Sequence, residues 1–270
     1  MSMHKSKQHK IFAFFHLVVC AFLLVSCDPV SVDDRYIEME AIDAQRCVLL
    51  EEFTGQNCVN CPTAHRTIEA LQKQYGSSLI SVSIHAGSFA FPEGQFGDLL
   101  QTFKTPEGDE YAAMWGITTY PSGVINRRGS VLGFADWASI IRSELERPAG
   151  LNIELSASVD EDKLIAAVTL KPTTAIEGHL QLWVVEDGIV SLQVDGGATL
   201  RDYVHNNVYR ASMNGVGGTA VSLQANVFAT ENFSIDVRKN WSVDNLSIVA
   251  FVYDQSGVQQ AVRVPLHKND

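Results

Sequence analysis

Two cysteines separated by two residues, Cys58 and Cys61, are the side chains of this sequence best suited to chemistry. They stand between an apolar run that starts at Val48 and a pattern of helical spacing that starts after Pro62. A thiol at the start of a helix lies near free backbone N–H groups and the positive end of the helix dipole, and both favour the thiolate. We therefore predict that Cys58 is the nucleophile and that Cys61 closes a small, reversible disulfide with it.

The elements that position these cysteines are predicted in the order strand, helix, strand. Apolar runs predict strands over 48–53 and 79–85, and helical spacing predicts a helix over 61–75. An irregular insertion over 86–106 comes next. It is followed by a helix, two strands and a last helix, at 109–115, 122–126, 131–134 and 136–146. This order predicts a mixed sheet with helices on both faces.

The same stretch resembles the thioredoxin fold, in which a Cys-x-x-Cys pair follows the first strand and a cis-proline faces it. Pro121, after Tyr120, stands in the position of that proline. The segments EEFTGQNCVNCP, SIHAG and YPSGVINR together resemble a family of bacterial outer-membrane lipoproteins with a thioredoxin-like domain and a β-rich C-terminal part. The likeness extends over about residues 46–270. It implies that Tyr120 and Pro121 present backbone atoms to a partner protein.

The resemblance also implies a role for Glu52, which precedes Cys58 by six residues. Thioredoxins carry a buried carboxylate at this place, beneath the dithiol, which exchanges a proton with the second cysteine. The alternative for Glu52 is a solvent-exposed carboxylate at the edge of the sheet. Asn57 and the Val59-Asn60 pair differ from the residues that thioredoxins have there, so the choice among reductase, oxidase and isomerase stays open.

Beyond Pro148 the pattern changes to short strands. Apolar and polar residues alternate over 151–159, a turn follows, and an apolar strand returns over 164–170. About eight short strands without helices or cysteines predict an immunoglobulin-like β-sandwich. The predicted fold class is therefore an α/β thioredoxin-like domain followed by an all-β immunoglobulin-like sandwich domain.

The N-terminal segment predicts export and attachment to a membrane. Residues 1–26 carry three lysines and then an apolar core over 11–25, which is too short for a comfortable membrane span. The sequence Leu-Val-Ser-Cys that ends at Cys27 resembles the lipobox of bacterial lipoproteins, which implies that Cys27 is lipidated. Several acyl chains on one cysteine anchor a protein firmly. We therefore expect an outer-membrane lipoprotein that faces the periplasm or the cell surface.

The predicted organisation has four parts: a lipoprotein signal peptide over 1–26, an acidic tether over 27–46, the thioredoxin-like domain over 47–148 and the β-sandwich domain over 149–270. A formal net charge of -11 repels phosphate backbones, so nucleic acid is not an expected partner. A zinc site can be drawn from the two cysteines with His65 and His85. Its spacing matches no common zinc module, so we predict no metal and no cofactor.

The predicted function is thiol–disulfide exchange in the bacterial cell envelope. Cys58 attacks or is attacked, Cys61 resolves the mixed disulfide, and Glu52 transfers the proton. The expected partners are envelope or surface proteins with thiols or disulfides, which Tyr120 and Pro121 contact. The alternative is a non-enzymatic outer-membrane binding or adhesion lipoprotein, in which the Cys58–Cys61 disulfide is structural.

Replacing the lipidated cysteine tests the anchor. Cys27→Ser should release the protein from membranes, because the lipid is its predicted apolar attachment. Salt-washed membranes and the soluble fraction are compared by immunoblot. Cys20→Ser is the matched control, since Cys20 lies in the part of the signal peptide that is removed. Membrane retention of the Cys27→Ser variant would contradict the lipobox prediction.

Overall fold

Residues 45–92, 95 and 100–268, which the computed structural model describes, fold mainly as β-strands. Within them lie three short α-helices: α1 (Cys61–Tyr75), α2 (Pro106–Met114) and α3 (Trp137–Leu145). The strands are β1 (Val48–Thr54), β2 (Leu79–His85), β3 (Ser122–Ile125), β4 (Leu151–Asp160), β5 (Lys163–Pro172), β6 (Ile176–Glu186), β7 (Ile189–Asp195), β8 (Ala198–His205), β9 (Val208–Ser212), β10 (Thr219–Leu223), β11 (Ala229–Asp236), β12 (Leu246–Asp254), β13 (Gly257–Pro265) and β14 (His267–Lys268). None of the described helices is long and apolar enough to cross a membrane.

The strands form three sheets. The main sheet has eight strands in the order β13-β12-β6-β9-β2-β1-β3, and β10 pairs with β6 beside this path. β1 and β2 are parallel, while β3 runs antiparallel to β1. A second sheet has the order β11-β5-β4-β14, and β7 and β8 form a separate hairpin. The strands predicted over 48–53 and 79–85 and the helix predicted over 61–75 are confirmed.

The predicted fold class, a thioredoxin-like α/β domain followed by an immunoglobulin-like sandwich domain, is wrong. β1, β2 and β3 share one sheet with β6, β9, β12 and β13, which come after residue 148. Every residue of β2 is buried, so this strand needs a hydrogen-bonded neighbour at both edges. β9 supplies the second neighbour through the Ser83–Val208 pair. The second sheet packs its apolar side against β6 and β12 of this same main sheet, which makes the protein a β-rich assembly.

The strand predicted over 131–134 and the predicted domain boundaries have different outcomes. Only an isolated bridge between Gly123 and Leu132 is found where a strand over 131–134 was expected, because that segment is too short to extend the ladder. The domain boundaries at 47–148 and 149–270 concern which segments fold independently, and they stay a prediction.

Alternating residues of β1 pack on opposite sides of the main sheet. Leu49 and Phe53 lie in the core that includes α2, whereas Val48 and Leu50 lie in the core that includes α1 and α3. Helices therefore cover both faces of the sheet around β1, as the order of elements predicts. This packing fixes the C-terminal end of β1, from which the chain enters the loop that contains the cysteines.

A buried ion pair joins β1 to the turn after β3. Arg127 Nε lies 2.7 Å from Glu51 Oε1, and both side chains are almost fully buried. The guanidinium lies over four aromatic rings at 4.3 to 5.7 Å from their centroids: Tyr253, Phe251, Trp183 and Tyr111. Such cation–π contacts strengthen when water is excluded. The pair thereby fastens β1 and the turn after β3 to β6 and β12.

Neutralising the carboxylate tests this pair. Glu51→Gln should lower the free energy of unfolding by about 3 kcal/mol, because it leaves the Arg127 charge buried without its counter-charge. The matched control is Glu154→Gln, since Glu154 also pairs with a cation, Lys171, but its side chain is 57% exposed. That change should cost less than about 1 kcal/mol. Urea unfolding followed by circular dichroism measures both, and equal losses would contradict the assignment.

Candidate functional site

The disulfide between Cys58 and Cys61 lies at the N-terminus of α1, and its Cα atoms are 5.4 Å apart. Cys61 is the first residue of the helix, and Pro62 follows in the first turn. Backbone N–H groups of the first turn have no partner within the helix, so the N–H that proline lacks costs no hydrogen bond there. The predicted disulfide is therefore present. Both cysteines are buried, however, with 2% of Cys58 and 0% of Cys61 exposed.

The β7–β8 hairpin covers one side of the disulfide loop. Val194 N donates to Gln56 O at 2.8 Å, and Gly196 N donates to Val59 O at 3.3 Å. Val194 in β7 and Gly196 in the turn after it thus both bond to the backbone of the disulfide loop. Because the β7–β8 ladder joins these two strands only to each other, such bonds help to attach the hairpin to the rest of the fold.

A buried glutamine of β7 reinforces this contact. Gln193 Nε2 lies 3.3 Å from Gly55 O and 3.1 Å from Cys58 O. From the loop side, Gln56 Nε2 lies 3.2 Å from Leu192 O. Two amide side chains therefore add hydrogen bonds between the loop and the hairpin, which stabilises the two together.

The segment after β2 covers the other side of the loop. Asn57 N donates to Phe89 O at 2.9 Å. Gly55 is required here, because a Cβ at this position would stand 2.3 Å from Phe89 O. The Phe89 ring in turn contacts the ring of Tyr120, with centroids 5.4 Å apart, and the Tyr120–Pro121 peptide bond is cis. The predicted partner-binding residues thus join the site through Phe89, and their contact with a partner stays a prediction.

Glu52 is fully buried in the middle of β1, so the alternative of an exposed carboxylate at a sheet edge is wrong. Ser83 Oγ donates to Glu52 Oε2 at 2.6 Å. His65 Nε2 lies 3.2 Å from Glu52 Oε1. Burial lowers the pKa of His65, but the carboxylates of Glu52 and Glu69 together outweigh burial and raise that pKa above its ordinary value. The two side chains can therefore share a proton, whereas proton transfer from Glu52 to Cys61 stays a prediction.

His65 also connects α1 to the hairpin. Its Nδ1 lies 2.9 Å from the hydroxyl of Tyr203 in β8. Its Nε2 lies 3.1 Å from Oγ1 of Thr54 in β1. Near this contact, Arg66 Nη1 lies 3.3 Å from Asp195 Oδ2. The helix that follows the disulfide thus holds both strands of the hairpin.

Sequence reasoning missed the hairpin residues of this site. Gln193 and Tyr203 lie in segments that read as ordinary strands, and Gln193 contacts Cys58 across 135 residues of sequence. The one available signal is a polar side chain flanked by apolar neighbours in a strand, which does not reveal its distant partner. Cys27 lies outside the described residues. Cys47 is free, with its Sγ 3.5 Å from Ser77 O.

The sequence profile described as outer membrane protein Omp28 matches residues 108–270. The chain belongs to the Omp28 family. Membership in this family places the protein at the outer membrane, as the N-terminal segment predicts. The expectation of an outer-membrane lipoprotein family is confirmed to that extent, while lipidation of Cys27 stays a prediction and the thioredoxin likeness is not confirmed.

Two solved structures, which come first here, have a fold similar to that of this chain. HBP35 of Porphyromonas gingivalis is 18% identical, with a TM-score of 0.66 over 83% of this chain and 76% of that chain. A protein from Agrobacterium tumefaciens is 16% identical, with a TM-score of 0.51 over 82% of this chain and 96% of that chain. A domain of the outer membrane lipoprotein Omp28 from P. gingivalis is 24% identical over 46% of this chain and 93% of that chain, with a TM-score of 0.34. No curated protein matches the sequence.

Removing one amide tests whether the hairpin is held by the disulfide loop. Gln193→Ala should speed hydrogen exchange of the Val194 and Gly196 amides about tenfold or more, because the hairpin loses its side-chain hydrogen bonds to Gly55 O and Cys58 O and local opening becomes easier. Gln224→Ala, at an exposed glutamine, is the matched control. Exchange is followed residue by residue by NMR. Unchanged protection of Val194 and Gly196 would show that the hairpin does not depend on Gln193.

Proposed function

We propose that this protein is a non-enzymatic binding or adhesion lipoprotein of the outer membrane, with Cys58–Cys61 as a structural disulfide. One observation carries the proposal: both cysteines are buried, and the loop that contains Cys58 accepts hydrogen bonds from the β7–β8 hairpin. Thiol–disulfide exchange requires a partner thiolate to reach a disulfide sulfur. Such an approach requires the hairpin or the segment at Phe89 to move away first.

The structural role of the bond follows from what it constrains. It joins residues three apart, and closing so short a loop stabilises the folded chain by about 2 kcal/mol in the chain-entropy description. The constrained carbonyl groups of Cys58 and Val59 are two of those that receive the hairpin's hydrogen bonds. The disulfide therefore supports a surface for the hairpin, and the membership in a family of outer membrane proteins agrees with a role at the cell surface.

A second candidate is thiol–disulfide exchange with envelope proteins. The observation that favours it is the buried Glu52 beside His65, because a carboxylate and an imidazole in contact can move a proton. His65 is four residues after Cys61 and so lies on the same side of α1. In this function Cys58 is attacked, Cys61 resolves the mixed disulfide, and Tyr120 and Pro121 contact the partner once the hairpin has moved.

The reduction potential of the disulfide distinguishes the two functions. A structural bond should equilibrate with dithiol buffers at a potential below about -300 mV, whereas exchange proteins lie at about -270 mV and above. Cys61→Ser, expressed in the cell envelope, should give no covalent complexes with other proteins. Cys58→Ser is the matched control, because it removes the predicted nucleophile. A potential above about -230 mV together with complexes trapped by Cys61→Ser alone would overturn the structural role.

A further inference from the structure

A groove on the main sheet lies where β10, β6 and β12 run side by side. Its volume is about 660 Å³, which falls in the range of roughly 300–1,000 Å³ that is usual for ligand pockets. Three residues from each strand line it: 177–179 of β6, 220–222 of β10, and 253–255 at the end of β12 and in the turn after it. None of these lining residues belongs to the disulfide loop or to the β7–β8 hairpin.

The ring of His179 forms a flat wall of this groove. The register of the sheet puts Tyr253 of β12 opposite His179 on one side and Ala220 of β10 opposite it on the other. The Tyr253 ring stacks on the imidazole, with centroids 5.4 Å apart and planes 23° apart. On the other side Ala220 offers only a methyl group, and both His179 and Ala220 are exposed. One face of the imidazole is therefore open to a planar occupant.

The Tyr253 ring holds the His179 wall in place. Its hydroxyl donates to Gly217 O at 2.8 Å. The guanidinium of Arg127 also lies over this ring, 4.3 Å from the centroid, and its charge is compensated by Glu51. An occupant thus meets a ring whose orientation is already fixed, so binding costs little side-chain entropy at this wall.

The charges in the groove favour a cation. The described residues that line it include the carboxylates of Glu177 and Asp254 but neither lysine nor arginine. Glu177 precedes His179 by two residues in β6, so the carboxylate and the imidazole lie on the same face of the sheet. Asp254 Oδ1 accepts hydrogen bonds from Ser256 N and Gln259 Nε2, which fixes the second carboxylate beside β12.

The Glu177 carboxylate is positioned by β10. Ser222 lies opposite Glu177 in the ladder, and its hydroxyl donates to Glu177 Oε1. Among the described residues no other group bonds to this carboxylate, so its second oxygen can accept a hydrogen bond from a ligand.

A guanidinium group matches the flat wall and the carboxylate together. It is planar and stacks on aromatic faces, and its N–H groups form a fork that fits carboxylate oxygens. An ammonium group carries the same charge, but it is a strongly hydrated point charge without a flat face. The groove therefore suits arginine better than lysine.

We propose that this groove binds an arginine side chain of a partner polypeptide, with the guanidinium stacked on His179 and paired with Glu177. Asp254 adds negative charge from the side of β12. This inference rests on the proposed binding function and names the chemistry of the partner. A partner that presents arginine also complements a chain whose formal net charge is -11.

Peptide titrations of the full chain test the groove. The probe is acetyl-Gly-Gly-Arg-Gly-Gly-amide, in which the guanidinium is the only charge. NMR follows the backbone amide signals of residues 177–179 and 220–222, which this peptide should shift saturably. The same peptide with lysine should bind at least threefold more weakly, because it cannot stack. The peptide with citrulline, which is planar but uncharged, should bind at least tenfold more weakly.

Three variants locate the binding. Glu177→Gln and Asp254→Asn, which keep acceptor oxygens for their hydrogen bonds, should each weaken binding of the arginine peptide about fivefold or more. Ala220→Leu should fill the space beside the imidazole and weaken binding at least tenfold. The matched controls are Glu231→Gln and Ala198→Leu, which make the same changes at exposed residues of β11 and β8 outside the groove. Both should bind the peptide like the unaltered protein.

Circular dichroism shows that each variant is folded. An absence of saturable binding, equal binding of the arginine peptide and either of the other two, or undiminished binding in the folded Glu177→Gln or Ala220→Leu variant would each overturn the proposal. The reduction potential tests the disulfide separately. A failed titration together with a potential below about -300 mV would remove the arginine groove and leave the structural role of the disulfide in place.

Discussion

The ion pair of Glu51 and Arg127 is the contact on which the arrangement of the main sheet depends. Two buried charges lose solvation, and their attraction offsets that loss only when the surrounding groups are favourable. The rings of Tyr111, Trp183, Phe251 and Tyr253 provide such surroundings for the guanidinium. Because Glu51 lies on β1 and most of the rings lie on β6 and β12, the pair favours one continuous sheet over two separate domains.

The disulfide loop shows the same dependence on distant segments. Strand, loop and helix place Cys58 and Cys61 together locally, but the burial of the cysteines comes from the β7–β8 hairpin and from the segment at Phe89. Burial changes what the bond can do, since a sulfur beneath a bonded hairpin is difficult for a thiolate to attack. The chemistry suggested by the spacing of two cysteines is thus limited by residues more than a hundred positions away.

Burial has a second consequence on the far side of α1. It lowers the pKa values of His85 and His205, and both side chains line a cavity of about 20 Å³. The hairpin contributes to both places, through Gln193 at the disulfide loop and through His205 at the cavity. One two-stranded element therefore contacts both the disulfide loop and the histidine-lined cavity.

The sequence by itself determined the local elements: β1, α1 and β2, the start of α1 at Cys61, and the pairing of cysteines three residues apart. These depend on neighbours within a few positions, so periodicity and turn residues suffice to predict them. Only the tertiary structure decided that β2 pairs with β9, that Glu51 is buried against Arg127, and that Gln193 covers Cys58. An apolar strand can pair with any other at its edges, and polar side chains such as Glu51 and Gln193 read as exposed until distant residues bury and satisfy them.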